Sequence, residues 1–63
     1  MIKIIYREHE FDLRPGMALL DALKKIDILP ETIISTRNGE VITEDEFLLD
    51  GDVVLLISVI SGG

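Results

Sequence analysis

The residues best placed to do chemistry stand at the end of the chain, where Ser61-Gly62-Gly63 leaves the backbone carboxylate of Gly63 as the expected last functional group. A C-terminal carboxylate titrates near about 3.5, so it is ionised at neutral pH and its oxygen can act as a nucleophile. Once activated, its carbonyl can in turn be attacked. Gly62 and Gly63 have no side chains, so such a tail can thread a narrow cleft, and nothing crowds an incoming nucleophile. By composition about one chain in 200 ends in two glycines, and termini are commonly frayed without a role. The tail therefore gains meaning only from a fold that presents it.

No other group competes with it. The sequence has no cysteine, hence no disulfide framework, no thiolate metal cluster and no side-chain thiol to carry sulfur. The single histidine, His9, is read as a solvated residue of the first hairpin turn, without a role. Glu44-Asp45-Glu46 is read as one solvated helical turn rather than a metal site, because a run of carboxylates rarely has ligand geometry. No pair of acid, base or nucleophile is visible, so an enzyme is not expected.

The composition bounds the rest. Sixty-three residues make one small domain, 1–63. A chain of this size buries only about 60% of its unfolded surface. Its core must be dense, and 48% of the residues are hydrophobic, mostly Ile, Leu and Val. The net charge of −6 speaks against a nucleic-acid surface, which needs clustered Lys and Arg. It speaks first for solubility, and is compatible with steering toward a basic partner. The longest apolar stretch, residues 53–60, is too short to span a membrane. Met1 leads straight into strand-like sequence, so no leader is expected, and the reading is a cytoplasmic protein, monomeric alone.

The elements that must hold the tail follow from periodicity. Ile2, Ile4 and Tyr6 alternate with Lys3, Ile5 and Arg7, a strand with one buried face. Glu8-His9-Glu10 reads as a break and residues 11–13 as a short return strand, stopped by Arg14-Pro15-Gly16. Leu19, Ala22, Leu23 and Ile26 then fall on one stripe of a helix expected over residues 17–26, with Lys24 and Lys25 suiting its C-terminal end. No Ser, Thr, Asp or Asn caps its start. Residues 32–37 are a β-branched strand, Asn38-Gly39 a tight hairpin turn and residues 40–43 its return. Phe47, Leu48 and Leu49 are expected in the core, followed by an Asp50-Gly51-Asp52 turn. Residues 53–59 form the last strand, apolar on both faces as a central strand would be. First and last strands should lie side by side. The fold class is α+β, a β-grasp with a mixed four- to five-stranded sheet and one helix on one face.

The hairpin, the Pro15-Gly16 entry to the helix, the Asn38-Gly39 turn, the Asp50-Gly51-Asp52 turn and the ending Val59-Ile60-Ser61-Gly62-Gly63 together resemble the ubiquitin-like sulfur carriers of the ThiS/MoaD type. The resemblance covers the whole chain. It implies a carrier rather than an enzyme. An ATP-dependent activating enzyme adenylates the carboxylate of Gly63, and a sulfur donor such as a cysteine desulfurase converts it to a thiocarboxylate. The sulfur then passes to an acceptor synthase, making thiamine thiazole or molybdopterin. No cofactor is bound permanently; ATP is the activating enzyme's. Ser61 and Gly62 tether the reactive residue.

Strand parity sends Val54 and Leu56 under the helix and Leu55, Ile57 and Val59 to the open face, with Ile5 beside them. An aliphatic patch left open on an acidic protein marks an interaction site. By the resemblance it docks both enzyme and acceptor, with Ile60 continuing toward the tail. Relatives often have an aromatic where Ile57 stands, which bears on how tightly this face docks. Three readings remain beside the cofactor carrier: a modifier joined to lysines through Gly63, a carrier for tRNA thiolation, and a plain β-grasp binding module. Ser61 resembles the molybdopterin-type tail and the short length the thiamine-type carrier, so the pathway stays open.

Overall fold

A computed structural model describes residues 1–59. Among them β1 (Ile2–Tyr6) and β2 (His9–Leu13) form the first hairpin, with Ile4 opposite Phe11 and Tyr6 opposite His9. The loop is only Arg7-Glu8, because Arg7 takes a left-handed φ of 56° and turns the chain at once. His9 is thus the first residue of β2, not part of the turn, and Glu10 is in the strand as well. Their polarity is that of an exposed edge strand, where charged side chains discourage pairing with other chains.

The helix is shorter than its periodicity suggests. Met17–Ala18 is a strand, β3, and α1 spans Leu19–Lys25. β3 pairs antiparallel with a later two-residue strand, β6 (Phe47–Leu48), and the Gly16 N–H donates to the Leu48 carbonyl at 3.1 Å. The missing N-cap has a tertiary replacement. The N–H groups of Leu19 and Leu20 donate to the carbonyls of Glu46 (2.8 Å) and Glu44 (2.9 Å), satisfying donors that a helix start leaves orphaned. At the other end Asp27 adopts φ 60°, and the Ile28 N–H reaches the Leu23 carbonyl at 3.0 Å. That is a Schellman closure with aspartate in the left-handed position.

A 3-10 turn, Pro30–Thr32, leads into β4 (Ile33–Arg37), which pairs with β5 (Glu40–Ile42). Asn38 and Gly39 have φ of 55° and 80°, the two positive values a type I′ hairpin demands. Residues 43–46 are not helical. They form a reverse turn closed by the Glu46 N–H on the Thr43 carbonyl at 3.1 Å, and the chain extends from it into β6. Only Leu48 of the expected apolar trio enters the core; Phe47 and Leu49 are exposed, because side chains alternate along a strand.

β7 (Val53–Ser58) lies in the middle of the five-stranded sheet, order β2-β1-β7-β4-β5, parallel to β1 and antiparallel to β4. The sheet is mixed, with α1 on one face, and β3 and β6 make a separate small sheet. Ile2, Ile4, Leu19, Ala22, Leu23, Ile33, Leu48, Val54 and Leu56 form the buried core between sheet and helix.

Candidate functional site

The site begins where β7 ends. β7 is held on both flanks, and the Val59 N–H after it donates to the Thr32 carbonyl at 3.1 Å, so the last described residue is pinned to the base of β4. Ile60, Ser61, Gly62 and Gly63 lie outside the described residues.

Alternation along β7 divides its side chains as its hydrophobicity suggests. Val54 and Leu56 are 0% and 4% exposed, whereas Leu55, Ile57 and Val59 are 44%, 46% and 48% exposed. Ile5 stands beside Leu55 in the parallel ladder and is half-buried. The structure therefore brings Ile5, Leu55 and Ile57 together on the face away from the helix, with Val59 following them.

This face is wider than strand parity along β7 alone indicates. Ile34 lies opposite Ile57, Thr36 opposite Leu55, and Val41 of β5 opposite Thr36. Ile34 is 40% exposed and Val41 71% exposed, while the Thr36 hydroxyl is occupied by donation to the Leu55 carbonyl at 3.2 Å. One apolar band thus crosses four strands. The signal for it was present in Ile33-Ile34, two adjacent β-branched residues that must face opposite ways. Their assignment needed the cross-strand register.

The charges sit at the margins. On the β2 side the Lys3 ammonium meets the Glu10 carboxylate at 3.1 Å. Its hydrogen bond to Glu10, then the charges of Glu10 and Asp12, raise the Lys3 pKa, so the ammonium stays charged. At the tail end of β1 the Arg7 guanidinium lies over the Tyr6 ring, 5.3 Å from its centroid. At the opposite end of β7, Arg37 joins Glu46 at 2.8 Å and Asp52 at 3.2 Å. There the Met1 ammonium pairs with Asp50, and this hydrogen bond, reinforced by the ammonium's charge, lowers the Asp50 pKa. The Thr43 hydroxyl lowers that of Asp45 in the same way. Among the described residues no three His, Asp or Glu side chains gather at metal-binding spacing, and no helix is long and apolar enough to cross a membrane.

Comparison with solved structures agrees with this architecture. SAMP1 from Haloferax volcanii matches with a TM-score of 0.70 over 98% of both chains at 20% identity. A ubiquitin-like protein from the hyperthermophilic archaea Caldiarchaeum subterraneum matches with a TM-score of 0.56 over 97% of both chains at 23% identity. At these identities they show the fold, a ubiquitin-like β-grasp. In sequence, the sulfur carrier protein TtuB of Thermus thermophilus is 28% identical over 54 residues, 86% of this chain and 83% of that protein. The ThiS family model matches residues 2–63, from the first strand through the Gly-Gly end, and the chain belongs to the ThiS family, among the ubiquitin-like sulfur carriers of the ThiS/MoaD type.

Proposed function

We propose that this chain is a sulfur carrier working through a thiocarboxylate on Gly63. The observation that carries the reading is the apolar band on the open face of the sheet, the exposed Ile34, Leu55 and Ile57 with the half-buried Ile5 beside them, which leads along the central strand toward the chain's end. The match to the ThiS family and the likeness to a sulfur carrier protein support it.

In the reaction proposed, a carboxylate oxygen of Gly63 attacks the α-phosphorus of ATP on an activating enzyme, and pyrophosphate leaves. Sulfide, the simplest sulfur donor, then adds to the carbonyl carbon of the acyl-adenylate. AMP departs with the electron pair of the C–O bond, leaving a thiocarboxylate. The enzyme supplies the ATP site; the carrier supplies a carboxylate free of side-chain crowding and a face to be held by. Delivery to a cofactor precursor, thiamine thiazole or the molybdopterin dithiolene, completes the role.

The test is mass spectrometry of the protein after incubation with an activating enzyme, ATP and sulfide. The intact chain is expected to gain the mass of one oxygen-to-sulfur exchange, located in the C-terminal peptide. A chain lacking Gly63, or extended by one residue, is expected to gain nothing. Thiolation of the truncated chain would rule the mechanism out.

A further inference from the structure

The two edges of the sheet are not equally guarded. β2 and β5 are its outer strands. The Lys3 N–H donates to the Asp52 carbonyl, toward β7, so Lys3 and Ile5 give their backbone groups to that side. The residues opposite them on β2, Asp12 and Glu10, therefore turn their N–H and carbonyl groups outward. Both carry carboxylates, which discourage a further strand.

β5 is different. The Val59 N–H on the Thr32 carbonyl fixes the hydrogen-bonded pairs between β7 and β4, which recur at every second residue: Ile34 with Ile57, then Thr36 with Leu55. Thr36 thus commits its N–H and carbonyl to β7. Val41, opposite Thr36, must point its own pair away from β4, at the free edge. Among the described residues no hydrogen bond takes up either group. The side chain there is apolar and 71% exposed.

β5 has three residues, so a strand added to it gains little beyond the two bonds at Val41. Side chains must supply the rest, and a cavity stands beside the edge. It measures about 160 Å³ and is lined by Leu19 and Leu23 of α1, by Ile33, Ser35 and Ile42 of the sheet, and by Glu44. A cavity near about 150 Å³ holds a benzene-sized group, so this one suits a single branched aliphatic side chain. On an added strand the residue opposite Val41 faces the open side and its neighbour faces α1. A free edge with a pocket for alternate side chains is the strand-addition mode of peptide recognition. Charge selects the flanks. Glu40 lies on the α1 side with Ile42, Glu44 stands at the cavity, and among the described residues neither is in an ion pair.

We propose that the β5 edge and its cavity dock an extended segment of a partner protein, in which an aliphatic residue has lysine or arginine two positions away. A second copy is a poorer occupant, because it would bring Glu40 and Glu44 of two chains, each of net charge −6, to one edge. The site is separate from the chain's terminus and does not depend on the carrier reading.

The experiment is an NMR titration of the isotope-labelled protein with the capped peptide acetyl-Lys-Thr-Leu-Thr-Lys-amide, to about 5 mM. Alternation places its leucine and both lysines on the α1 side. Saturable shifts are expected at the amides of Glu40, Val41 and Ile42, with the Val41 N–H moving downfield as it gains an acceptor, and not along β2. The same peptide methylated on both threonine nitrogens cannot donate to the Val41 carbonyl and is expected to bind about tenfold more weakly. So is the charge-reversed peptide acetyl-Glu-Thr-Leu-Thr-Glu-amide. Val41→Pro removes the outward N–H without breaking the β4–β5 ladder, as proline at a sheet edge can, and is expected to weaken binding similarly. Should that variant fail to fold, the methylated peptide makes the same test on the wild type. Absence of β5 shifts overturns the proposal, as does binding of the methylated or charge-reversed peptide within twofold of the parent. Shifts at Val41 that follow protein concentration alone would give the edge to a second copy and overturn it too.

Discussion

Arg37 leaves the end of β4 with its guanidinium divided among three acceptors: the carboxylates of Glu46 and Asp52 and the backbone carbonyl of Phe47 at 3.1 Å. Asp52 also accepts the Leu49 N–H at 2.9 Å, so one ion pair fastens the turn before β7 to the edge of β6. Arg37 and Asp52 are only 22% and 20% exposed, which lifts the pair above a typical surface salt bridge. Arg37→Ala is expected to cost about 2 kcal/mol, read as a lower urea midpoint with unchanged slope. Arg37→Lys should recover little, since an ammonium lacks the planar fork. At Asp50 the effect is one of pH. The Met1 ammonium depresses its folded pKa, so its contribution is present above the unfolded value of about 3.9 and is lost as pH falls through the lower folded value. The Tm of Asp50→Asn should therefore lie below that of wild type at neutral pH and converge with it in acid. Equal separation at all pH values would exclude the pair. Neither the carboxylate partners of Arg37 nor the ammonium partner of Asp50 was legible in the sequence, because these groups lie 9 to 49 residues apart and meet only through the sheet register.

The elements differ in how openly the sequence declares them, and the difference tracks how local their causes are. The Asn38-Gly39 hairpin is encoded in two residues whose side chains permit positive φ, so it could be read directly. The inward stripe Leu19, Ala22, Leu23 was equally plain. The start of α1 was not, because its donors are capped by Glu44 and Glu46 carbonyls from across the fold. The same contact explains why residues 43–46 do not form a helical turn: they give two carbonyls to α1 and then extend as β6 against Met17–Ala18. Two-residue strands have no periodicity to detect. Leu23 is fully buried beneath the sheet, and Leu23→Ala is expected to cost about 3 kcal/mol by thermal or urea unfolding. That would be a large part of the stability of so small a domain.

At the scale of the molecule one sheet separates two tasks. The face under α1 holds the fold together; the other carries the apolar band, and much of the candidate site could be read by counting parity along residues 53–59. The added width through Ile34 and Val41 could not, since it depends on which strands become neighbours. The two faces should respond separately to substitution. Leu55→Glu and Ile57→Glu, on the open face, are expected to change the urea midpoint little, by about 0.5 kcal/mol or less, yet to weaken binding to the activating enzyme at least tenfold in a titration. Substitution of Val54 or Leu56 should do the reverse. If Leu55→Glu unfolded the protein, the division between the faces would be wrong.

The parallel ladder between β1 and β7 has a consequence for how the protein is made. Of the described strands β1 is synthesised before the others and β7 after them, yet the two are neighbours in the sheet, paired from Lys3 with Val53 to Tyr6 with Leu56. Contacts so distant in sequence form only after a long loop has closed. A nascent or prematurely ended chain that lacks β7 leaves Ile2 and Ile4 uncovered on one flank, open to chaperones and proteases. The fold thus settles only after β7 has been made, because β7 is the strand that joins β1 to β4.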